Sequence, residues 1–258
     1  MIYFVGAGSG AVDLITVRGA ELLKRADVII YAGSLVNYEI IETYAKKDCE
    51  IFNSASMTLE EILQKMIQAH EHNLLTVRLH SGDTSLYGAI NEQIKILREK
   101  NIEFEIVPGV SSLFSAAAAL KTEYTIPELT QTLIISRHEG KTKVPENENL
   151  RSLSKHKASM AIFLSTSMIQ EVCNEIISGG FSNDTPAVLA HKISWNDEKI
   201  ITGTLETLPE LVEKSGIKKT GLILVGDFLR KDSSYEKKSK LYDRNFTHEF
   251  RKKHNGLN

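Results

Sequence analysis

The chain has 258 residues, of which 42% are hydrophobic and 25% are charged, and its formal net charge is −2. These values are ordinary for a globular protein, so they exclude a fibrous or wholly disordered chain. The charge also excludes a globally basic nucleic-acid binder, and we expect no nucleic-acid partner. Cys49 and Cys173 are too few and too far apart for a disulfide framework or a cysteine-based metal site.

The first residues lead directly into an apolar segment at residues 2–5, without the charged leader of a signal peptide. No uninterrupted apolar run approaches the roughly 18 residues that a membrane span requires. We therefore expect a protein of the reducing cytoplasm that has no membrane partner.

The first half of the chain alternates short β-branched runs with segments of helical periodicity. The predicted strands are residues 2–5, 28–31, 50–52, 74–79, 104–107 and 132–135, and the predicted helices are 17–25, 59–72 and 88–100. Thr58 and Glu61 have the spacing of a capping box at the start of the second of these helices. Strands separated by helices predict right-handed crossovers and a mainly parallel sheet.

A polar stretch at residues 137–149 lacks apolar periodicity and contains Pro145, which is typical of a domain boundary. Beyond it, apolar runs at 160–164, 187–190, 200–201 and 222–225 alternate with helical patterns at 167–177 and 208–214. A turn at residues 195–198 favours some antiparallel pairing. The sequence thus predicts an α/β protein with two α/β lobes: an N-terminal lobe (1–137) with a mainly parallel sheet, a mixed C-terminal lobe (138–230) and a charged tail (231–258).

Three loops follow predicted strands and contain glycine: residues 6–10 (GAGSG), 80–88 (HSGDTSLYG) and 107–112 (VPGVSS). In open parallel sheets, ligands bind at the carboxyl ends of strands, where glycine lets them approach the backbone. Ser111 and Ser112 begin a helix, where N–H groups and hydroxyls can hold a carboxylate. Together the loops predict a cofactor site at one edge of the first sheet.

Each loop also has a purely structural interpretation. The first can be a plain glycine turn, and Asp83, Ser85 or Ser111 can simply cap the following helix. A nicotinamide dinucleotide site is disfavoured because the first loop has the spacing G-x-G-x-G rather than G-x-G-x-x-G. The second predicted strand also ends at Tyr31, Ala32 and Gly33, without the acid that would bind a ribose.

The three loops, in this order, resemble those of the tetrapyrrole methylase family, whose members use S-adenosylmethionine. Residues 6–16 are similar to that family's first loop, GAGPGDPDLIT, residues 80–88 to its GDPSLYG loop, and residues 107–112 to its VPG turn. The resemblance extends to Val225. It implies a methyltransferase that holds S-adenosylmethionine, the methyl donor, in a cleft between two lobes.

Further segments resemble one branch of this family, which methylates C11 of precorrin-4 or cobalt-precorrin-4 in cobalamin biosynthesis. The uroporphyrinogen methylases of the family carry an acid after the second strand, where this chain has Ala32 and Gly33. The resemblance therefore implies precorrin-4 or its cobalt form as the tetrapyrrole substrate. The segments that carry it are residues 31–36, 123–128, 131–132 and 136–137 and, in the tail, 239–242, 246–248 and Arg251.

Carried over by position, the resemblance implies cofactor contacts at Ser9, Ser81, Gly82, Asp83, Leu86, Ser111, Ser112, Leu164, Ile193, Thr220 and Gly221. For the last four, ordinary core packing is the alternative. The implied substrate carries acetate and propionate groups, so it needs cations and hydrogen-bond donors. The candidates are Arg78, His80, Arg137, His138 and Lys192, each with solvated surface charge as the alternative.

The sequence identifies no proton acceptor, so no catalytic residue is assigned. His70 and His72 lie two apart on a predicted helix and point in different directions, which makes them poor metal ligands. We expect no protein-bound metal, any cobalt belonging to the substrate. The resemblance also implies a homodimer.

The chain departs from the family pattern in two loops. Ser9, Ala11 and Val12 replace Pro, Asp and Pro in the first, and Thr84 replaces Pro in the second. Fewer prolines favour a looser loop. The alternatives are therefore methylation at another corrin position or of another acceptor such as RNA or protein, a non-catalytic cofactor-binding module, and a hydride-transferring dehydrogenase.

Overall fold

The computed structural model describes residues 1–230, 239–243 and 246–251. The chain divides into two compact units. The first comprises Met1–Ala119 with Lys192–Lys199, and the second comprises Leu120–His191 with Ile200–Asn258. The first unit therefore consists of two separate stretches of sequence.

The first unit contains a five-stranded sheet in the order β3-β2-β4-β1-β5. Every neighbouring pair is parallel, with β4 and β1 at the centre and Val5 opposite both Leu79 and Val107. All five strands therefore end at the same edge, where their following loops begin. The strands are β1 (Ile2–Gly6), β2 (Val28–Tyr31), β3 (Glu50–Asn53), β4 (Thr76–His80) and β5 (Phe104–Val107).

Five helices accompany this sheet, and apolar side chains fill both of its faces. Val77 and Leu79 pack with residues of the first two helices, whereas Phe4 and Ile30 pack with residues of the third and fourth. Alternation along the strands separates these two sets. The expected capping box of Thr58 and Glu61 is present at the third helix. The helices are α1 (Val17–Arg25), α2 (Tyr38–Tyr44), α3 (Leu59–Glu71), α4 (Asn91–Glu99) and α5 (Ser112–Leu120).

The second unit contains a mixed sheet in the order β6-β7-β10-β8-β9. The strands β6 and β7 are parallel, and β10 is antiparallel to both β7 and β8, so the predicted mixed sheet is confirmed. The unit's elements are β6 (Leu133–Arg137), α6 (Leu150–Ser154), β7 (Ser159–Phe163), α7 (Ile169–Ser178), β8 (Pro186–His191), β9 (Lys199–Thr204), α8 (Leu208–Ser215) and β10 (Gly221–Val225).

The structure places the division between the units earlier than the polar stretch at 137–149. The predicted strand at 132–135 was assigned to the first lobe, but β6 pairs with β7, with Leu133 opposite Ser159. The units accordingly divide after Ala119. Local periodicity indicates a strand without identifying its partner, and the polar stretch is a loop inside the second unit.

Most of the expected charged tail lies outside the described residues, namely 231–238, 244–245 and 252–258. Within the described part, Lys240–Tyr242 form a short 3-10 helix, and Arg251 donates a hydrogen bond of 2.8 Å to the carbonyl oxygen of Asp243. In the described ranges, no helix combines the length and apolar character needed to cross a lipid bilayer.

Candidate functional site

The loops after β1 and β4 are joined by paired backbone hydrogen bonds. Gly82 donates its N–H to the carbonyl oxygen of Gly8 at 2.7 Å, and Gly8 donates to that of Gly82 at 3.2 Å. Both residues have left-handed backbone, with φ of 83° at Gly8 and 61° at Gly82. Glycine adopts this conformation readily, whereas a side chain is strained in it. The two loops therefore meet through residues that favour glycine.

The Asp83 carboxylate connects the loops after β4 and β5. Its Oδ2 accepts a hydrogen bond of 2.8 Å from the backbone N–H of Gly109, and its Oδ1 accepts one of 2.8 Å from that of Ser85. Because α4 begins only at Asn91, neither Asp83 nor Ser85 caps it, so that interpretation is wrong. Partial burial raises the pKa of Asp83, but the hydrogen bonds from Ser85 and Gly109 outweigh it and leave the pKa lowered. The carboxylate is thus ionised at neutral pH.

Two of the glycines serve contact between loops, and a third leaves open space. A Cβ atom on Gly6 would lie 2.7 Å from the Gly109 nitrogen, and one on Gly109 would lie 2.1 Å from the Gly82 oxygen. A Cβ on Gly82, in contrast, would meet only Ser111 Cα at 3.5 Å and Ser112 N at 3.8 Å. A ligand can therefore approach Gly82 on the side that faces Ser111 and Ser112.

Ser111 and Ser112 stand at the beginning of α5. The buried Ser111 hydroxyl accepts a hydrogen bond of 3.3 Å from the N–H of Leu113, so it caps the helix as the structural interpretation expected. Ser112 is the first helical residue and is partly exposed. The start of a helix presents N–H groups and a positive dipole end, which favour a negatively charged ligand group.

The first loop is held by three side chains, Ser115, Ser194 and Trp195, which we call the loop clamp. The Ser9 hydroxyl oxygen lies 2.7 Å from that of Ser115 and 2.8 Å from that of Ser194. The Trp195 Nε1–H donates to the carbonyl oxygen of Ser9 at 2.9 Å. Ser9 therefore fixes the loop through its own hydroxyl.

The loop clamp also supports the positions where the loop departs from the family pattern. The Ala11 N–H donates to the Ser194 hydroxyl at 3.0 Å, and Asn37 donates its side-chain N–H to the Gly10 carbonyl oxygen at 3.0 Å. These bonds restrain a loop that has lost prolines. Sequence reasoning missed the clamp, although a serine in place of the family's proline is a signal that a new polar partner exists.

Ser81 and Leu86 line a cavity of about 420 Å³ within the first unit. The cavity lies beside the end of β4, between residues of the loop after β2 and the α3 and α4 region. Ile193, another cofactor candidate, belongs to the discontinuous stretch of the first unit and is 3% exposed, so its side chain is core packing.

The second unit brings Leu164, Thr220 and Gly221 to one edge of its sheet. The register that pairs Ile223 with Ile162, continued by two residues, places Gly221 opposite Leu164. Leu164 and Thr220 both have left-handed backbone, with φ of 55° and 59°, and Leu164 is 62% exposed. Strained backbone in residues other than glycine is concentrated at functional sites.

The five candidate cations have different surroundings. Arg78 and His80 are each 5% exposed and line the cavity, so solvated surface charge is wrong for both. Lys192 Nζ lies 2.6 Å from Asp197 Oδ2, and the His138 N–H donates to the Ser165 hydroxyl at 2.9 Å.

The Arg137 guanidinium binds its own loop. It donates to the backbone carbonyl oxygens of Thr142 at 3.1 Å, Lys143 at 2.7 Å and His138 at 3.3 Å. Three of its N–H groups are therefore directed at backbone rather than at an anion. Sequence reasoning identified the residue but not this use of it.

The fold and these loops define a class: an α/β protein with one parallel and one mixed sheet, whose glycine loops meet at the carboxyl edge of the parallel sheet, where such sheets bind ligands. Residues 1–209 match the family described as Tetrapyrrole (Corrin/Porphyrin) Methylases, and the chain belongs to that family. The family predicted from the three loops is confirmed.

Two relatives cover nearly the whole chain. The chain is 54% identical over 253 residues to the cobalt-precorrin-4 C(11)-methyltransferase of Methanocaldococcus jannaschii, covering 98% of this chain and 96% of the relative. It is 41% identical over 250 residues to the precorrin-4 C(11)-methyltransferase of Pseudomonas aeruginosa, covering 97% and 98%.

Solved structures agree with this assignment. A cobalt precorrin-4 methyltransferase, described as a cobalamin biosynthetic enzyme, matches with a TM-score of 0.86 at 46% identity, covering 88% of this chain and 95% of its own. The uroporphyrin-III C-methyltransferase of Thermus thermophilus, in complex with S-adenosylhomocysteine, matches with a TM-score of 0.74 at 22% identity, covering 89% and 98%. The second match shows the fold alone.

Proposed function

We propose that this protein transfers a methyl group from S-adenosylmethionine to C11 of precorrin-4 or cobalt-precorrin-4 in cobalamin biosynthesis. The observation that carries the proposal is that the three loops of the family meet at one sheet edge, through the Gly8–Gly82 pair and the Asp83–Gly109 bond. The near full-length identity to relatives named for this reaction supports the choice of substrate.

The residues at the loop edge fit the cofactor. Gly82 leaves room for a ligand beside Ser111 and Ser112, and the start of α5 offers N–H groups to a carboxylate such as that of the methionine part. Ser81 and Leu86 lie next to this space, while Ser9 and Asp83 hold the loops that form it. In the second unit, the strained backbone at Leu164 and Thr220 supports their assignment with Gly221, and Ile193 contributes through its backbone.

S-adenosylmethionine supplies a methyl group already activated for in-line displacement by a carbon nucleophile. The chain's own task is alignment and exclusion of water, which can lower a reaction barrier by about 7–11 kcal/mol. The Asp83 carboxylate is committed to Gly109 and Ser85, and His80 is buried and neutral, so we assign no catalytic base.

The substrate's acetate and propionate groups call for cations. Arg78 and His80 lie in the cavity of the first unit, and we propose both as substrate contacts. Lys192 is proposed as a contact that exchanges its Asp197 partner for a carboxylate, and Arg137 and His138 as contacts in the second unit. Arg137 can meet a carboxylate only through the N–H groups that its loop leaves unused.

The experiment has two steps. Calorimetric titration of the purified protein with S-adenosylmethionine measures binding, and incubation with precorrin-4 and, in parallel, cobalt-precorrin-4 is followed by mass spectrometry and by NMR location of the new methyl carbon. We expect binding and the gain of one methyl at C11. Binding without transfer identifies a cofactor-binding module, methylation at another carbon identifies a different corrin methylase, and absence of binding overturns the proposal.

We further propose that the protein is a homodimer of the cytoplasm. The family resemblance implies the dimer, and two free cysteines, of which Cys173 is buried, suit a reducing compartment. Sedimentation equilibrium of the full chain measures the mass, and a monomer at micromolar concentration would contradict the dimer.

A further inference from the structure

The central strand β4 carries a polar row where the sheet otherwise buries apolar residues. Thr76, Arg78 and His80 are each at most 5% exposed. Val77 and Leu79 between them belong to the core on the opposite face, so alternation directs the row toward α3 and α4. Three buried polar residues in a row are costly for a core and require an explanation.

Arg78 has no negative partner in its buried position. Its Nε donates to Gln93 Oε1 at 3.3 Å and one terminal nitrogen donates to the Ile30 carbonyl oxygen at 3.1 Å, and both acceptors are neutral. None of the ion pairs formed within residues 1–230 includes Arg78. Burial lowers the pKa of its guanidinium to about 10. A buried cation without a counter-ion destabilises the fold by several kcal/mol, so its retention indicates a use other than stability.

His80 shares this surrounding. No described residue bonds its buried Nε2 atom, and the neighbouring Phe4 ring lies 6.2 Å away between ring centroids. Burial, and after it the charge of Arg78, lowers the pKa of His80 to about 3, so the imidazole is neutral. A neutral imidazole has one N–H to donate.

Both side chains line the cavity of about 420 Å³, which is within the range of small-ligand sites. Its wall includes Tyr87 and Ala89, whose φ angles of 56° and 49° are strained for residues with a side chain. The exposed Glu92 is the one carboxylate among the lining residues, and it does not pair with Arg78. The cavity therefore has a cationic interior and an acidic group at an exposed position.

We infer that this cavity binds one acetate or propionate side chain of the substrate, with Arg78 as the charged anchor and His80 as a neutral hydrogen-bond donor beside it. The inference rests on the proposed function. A carboxylate would neutralise the buried guanidinium, whose planar N–H pairs match its two oxygens. The other arginine candidate, Arg137, spends three of its N–H groups on its own loop, which leaves Arg78 as the stronger anchor.

The test uses uroporphyrin III, a stable porphyrin with eight carboxylates, as a fluorescent binding probe. We compare the wild-type protein with Arg78→Met and with the control Arg98→Met, an exposed arginine over the Phe104 ring. Arg78→Met is expected to weaken probe binding and raise the KM for precorrin-4 by about tenfold or more, with S-adenosylmethionine affinity unchanged. Arg98→Met should match the wild type in all three.

Thermal unfolding separates an anchor from a structural bracket. If Arg78 exists for the ligand, Arg78→Met should melt at the same or a higher temperature, because an uncompensated buried charge is removed. A lower melting temperature with unchanged probe binding would overturn the inference. So would phosphate that stabilises the wild type but not Arg78→Met while probe binding is equal, which assigns the cavity to a small inorganic anion.

A second variant serves if Arg78→Met does not fold. Glu92→Gln is at an exposed position and removes a negative charge from the cavity wall, so probe affinity should rise about twofold. Equal or weaker binding would contradict a carboxylate pocket. The two proposals fail separately: methyl transfer by the wild type with an unaffected Arg78→Met removes only the cavity assignment, and Arg78-dependent probe binding without methyl transfer removes only the proposed function.

Discussion

The Trp195 indole covers Gly10 so closely that a Cβ atom on this glycine would lie 2.1 Å from the Trp195 Cδ1 atom. The same indole donates its N–H to the Ser9 carbonyl oxygen at 2.9 Å. A residue that is distant in sequence thus fixes the loop after β1. Because Trp195 is the single tryptophan of the chain, its fluorescence reports on this loop.

Trp195→Phe should therefore weaken S-adenosylmethionine binding about fivefold, since it removes a hydrogen bond worth about 1 kcal/mol from the loop. Gly10→Ala should reproduce the loss, because the added methyl displaces the ring. Calorimetry measures both. In the wild type, titration with the cofactor should change the Trp195 emission. Wild-type affinity in both variants would show that the loop clamp plays no part in binding.

Asp83→Ala should lower the free energy of unfolding by about 2 kcal/mol, because it removes an ionised acceptor from the Gly109 and Ser85 N–H groups. Urea unfolding followed by circular dichroism measures the change. The control is Asp48→Ala, whose side chain is 81% exposed and should be nearly neutral.

The same bonds have a predictable pH dependence. The pKa of Asp83 in the folded chain is lower than the ordinary 3.8, so its contribution is fully present above that value and is lost as the pH falls through the folded pKa. Asp83→Ala should therefore lose less stability than the wild type on acidification below about pH 4. Parallel loss in the two proteins would be evidence against an ionised Asp83 as the connection between loops.

Gly82→Ala should abolish measurable S-adenosylmethionine binding, because a methyl would enter the space beside Ser111 and Ser112. The matched control is Gly216→Ala: Gly216 also has left-handed backbone, with φ of 73°, and a Cβ there would meet nothing within 4 Å. Both variants should lose a similar stability of about 1–2 kcal/mol from backbone strain. Equal cofactor affinity in the two would show that the ligand does not approach Gly82.

His80 makes stability depend on pH near neutrality. Its folded pKa is about 3 against an ordinary 6.5, mainly because of burial. Below pH 6.5 the unfolded chain takes up a proton that the folded chain does not, so stability falls as the pH decreases. Between about pH 7.5 and about pH 5.5 this accounts for about 1 kcal/mol of unfolding free energy.

His80→Gln should remove that part of the pH dependence, and the control His156→Gln, at an exposed position, should retain the wild-type slope. Urea midpoints at the two pH values give the answer. A wild-type slope in His80→Gln would mean that the His80 imidazole titrates normally and is not held neutral.

Local patterns predicted the elements that they physically determine. The strand at Val28–Tyr31 and the helix at Val17–Arg25 occur at their predicted bounds, since each has a clear period and a boundary residue. The helix α5 was not predicted, because its run of alanines is apolar on every side and has no helical stripe. Helices α2 and α6 are too short for their periodicity to be read.

The site was predictable to the extent that it depends on loops next to strands. Gly8 and Gly82 were identified as neighbours because parallel strands end at one edge, and the structure joins them directly. Contacts between residues far apart in sequence were not predictable. Neither the pairing of Leu133 with Ser159 nor the bond from Trp195 to Ser9 has a local signature.

The discontinuous first unit has a consequence for biosynthesis. Its five strands are complete once residue 107 has been made, so the parallel sheet can form while the ribosome is still translating the second unit. Trp195 and Ser194 emerge much later, and β10, which joins β7 to β8, emerges later still. During synthesis the nascent chain therefore passes through a stage in which the sheet exists but its first loop is not yet fastened, and cofactor capture has to wait for the last quarter of translation.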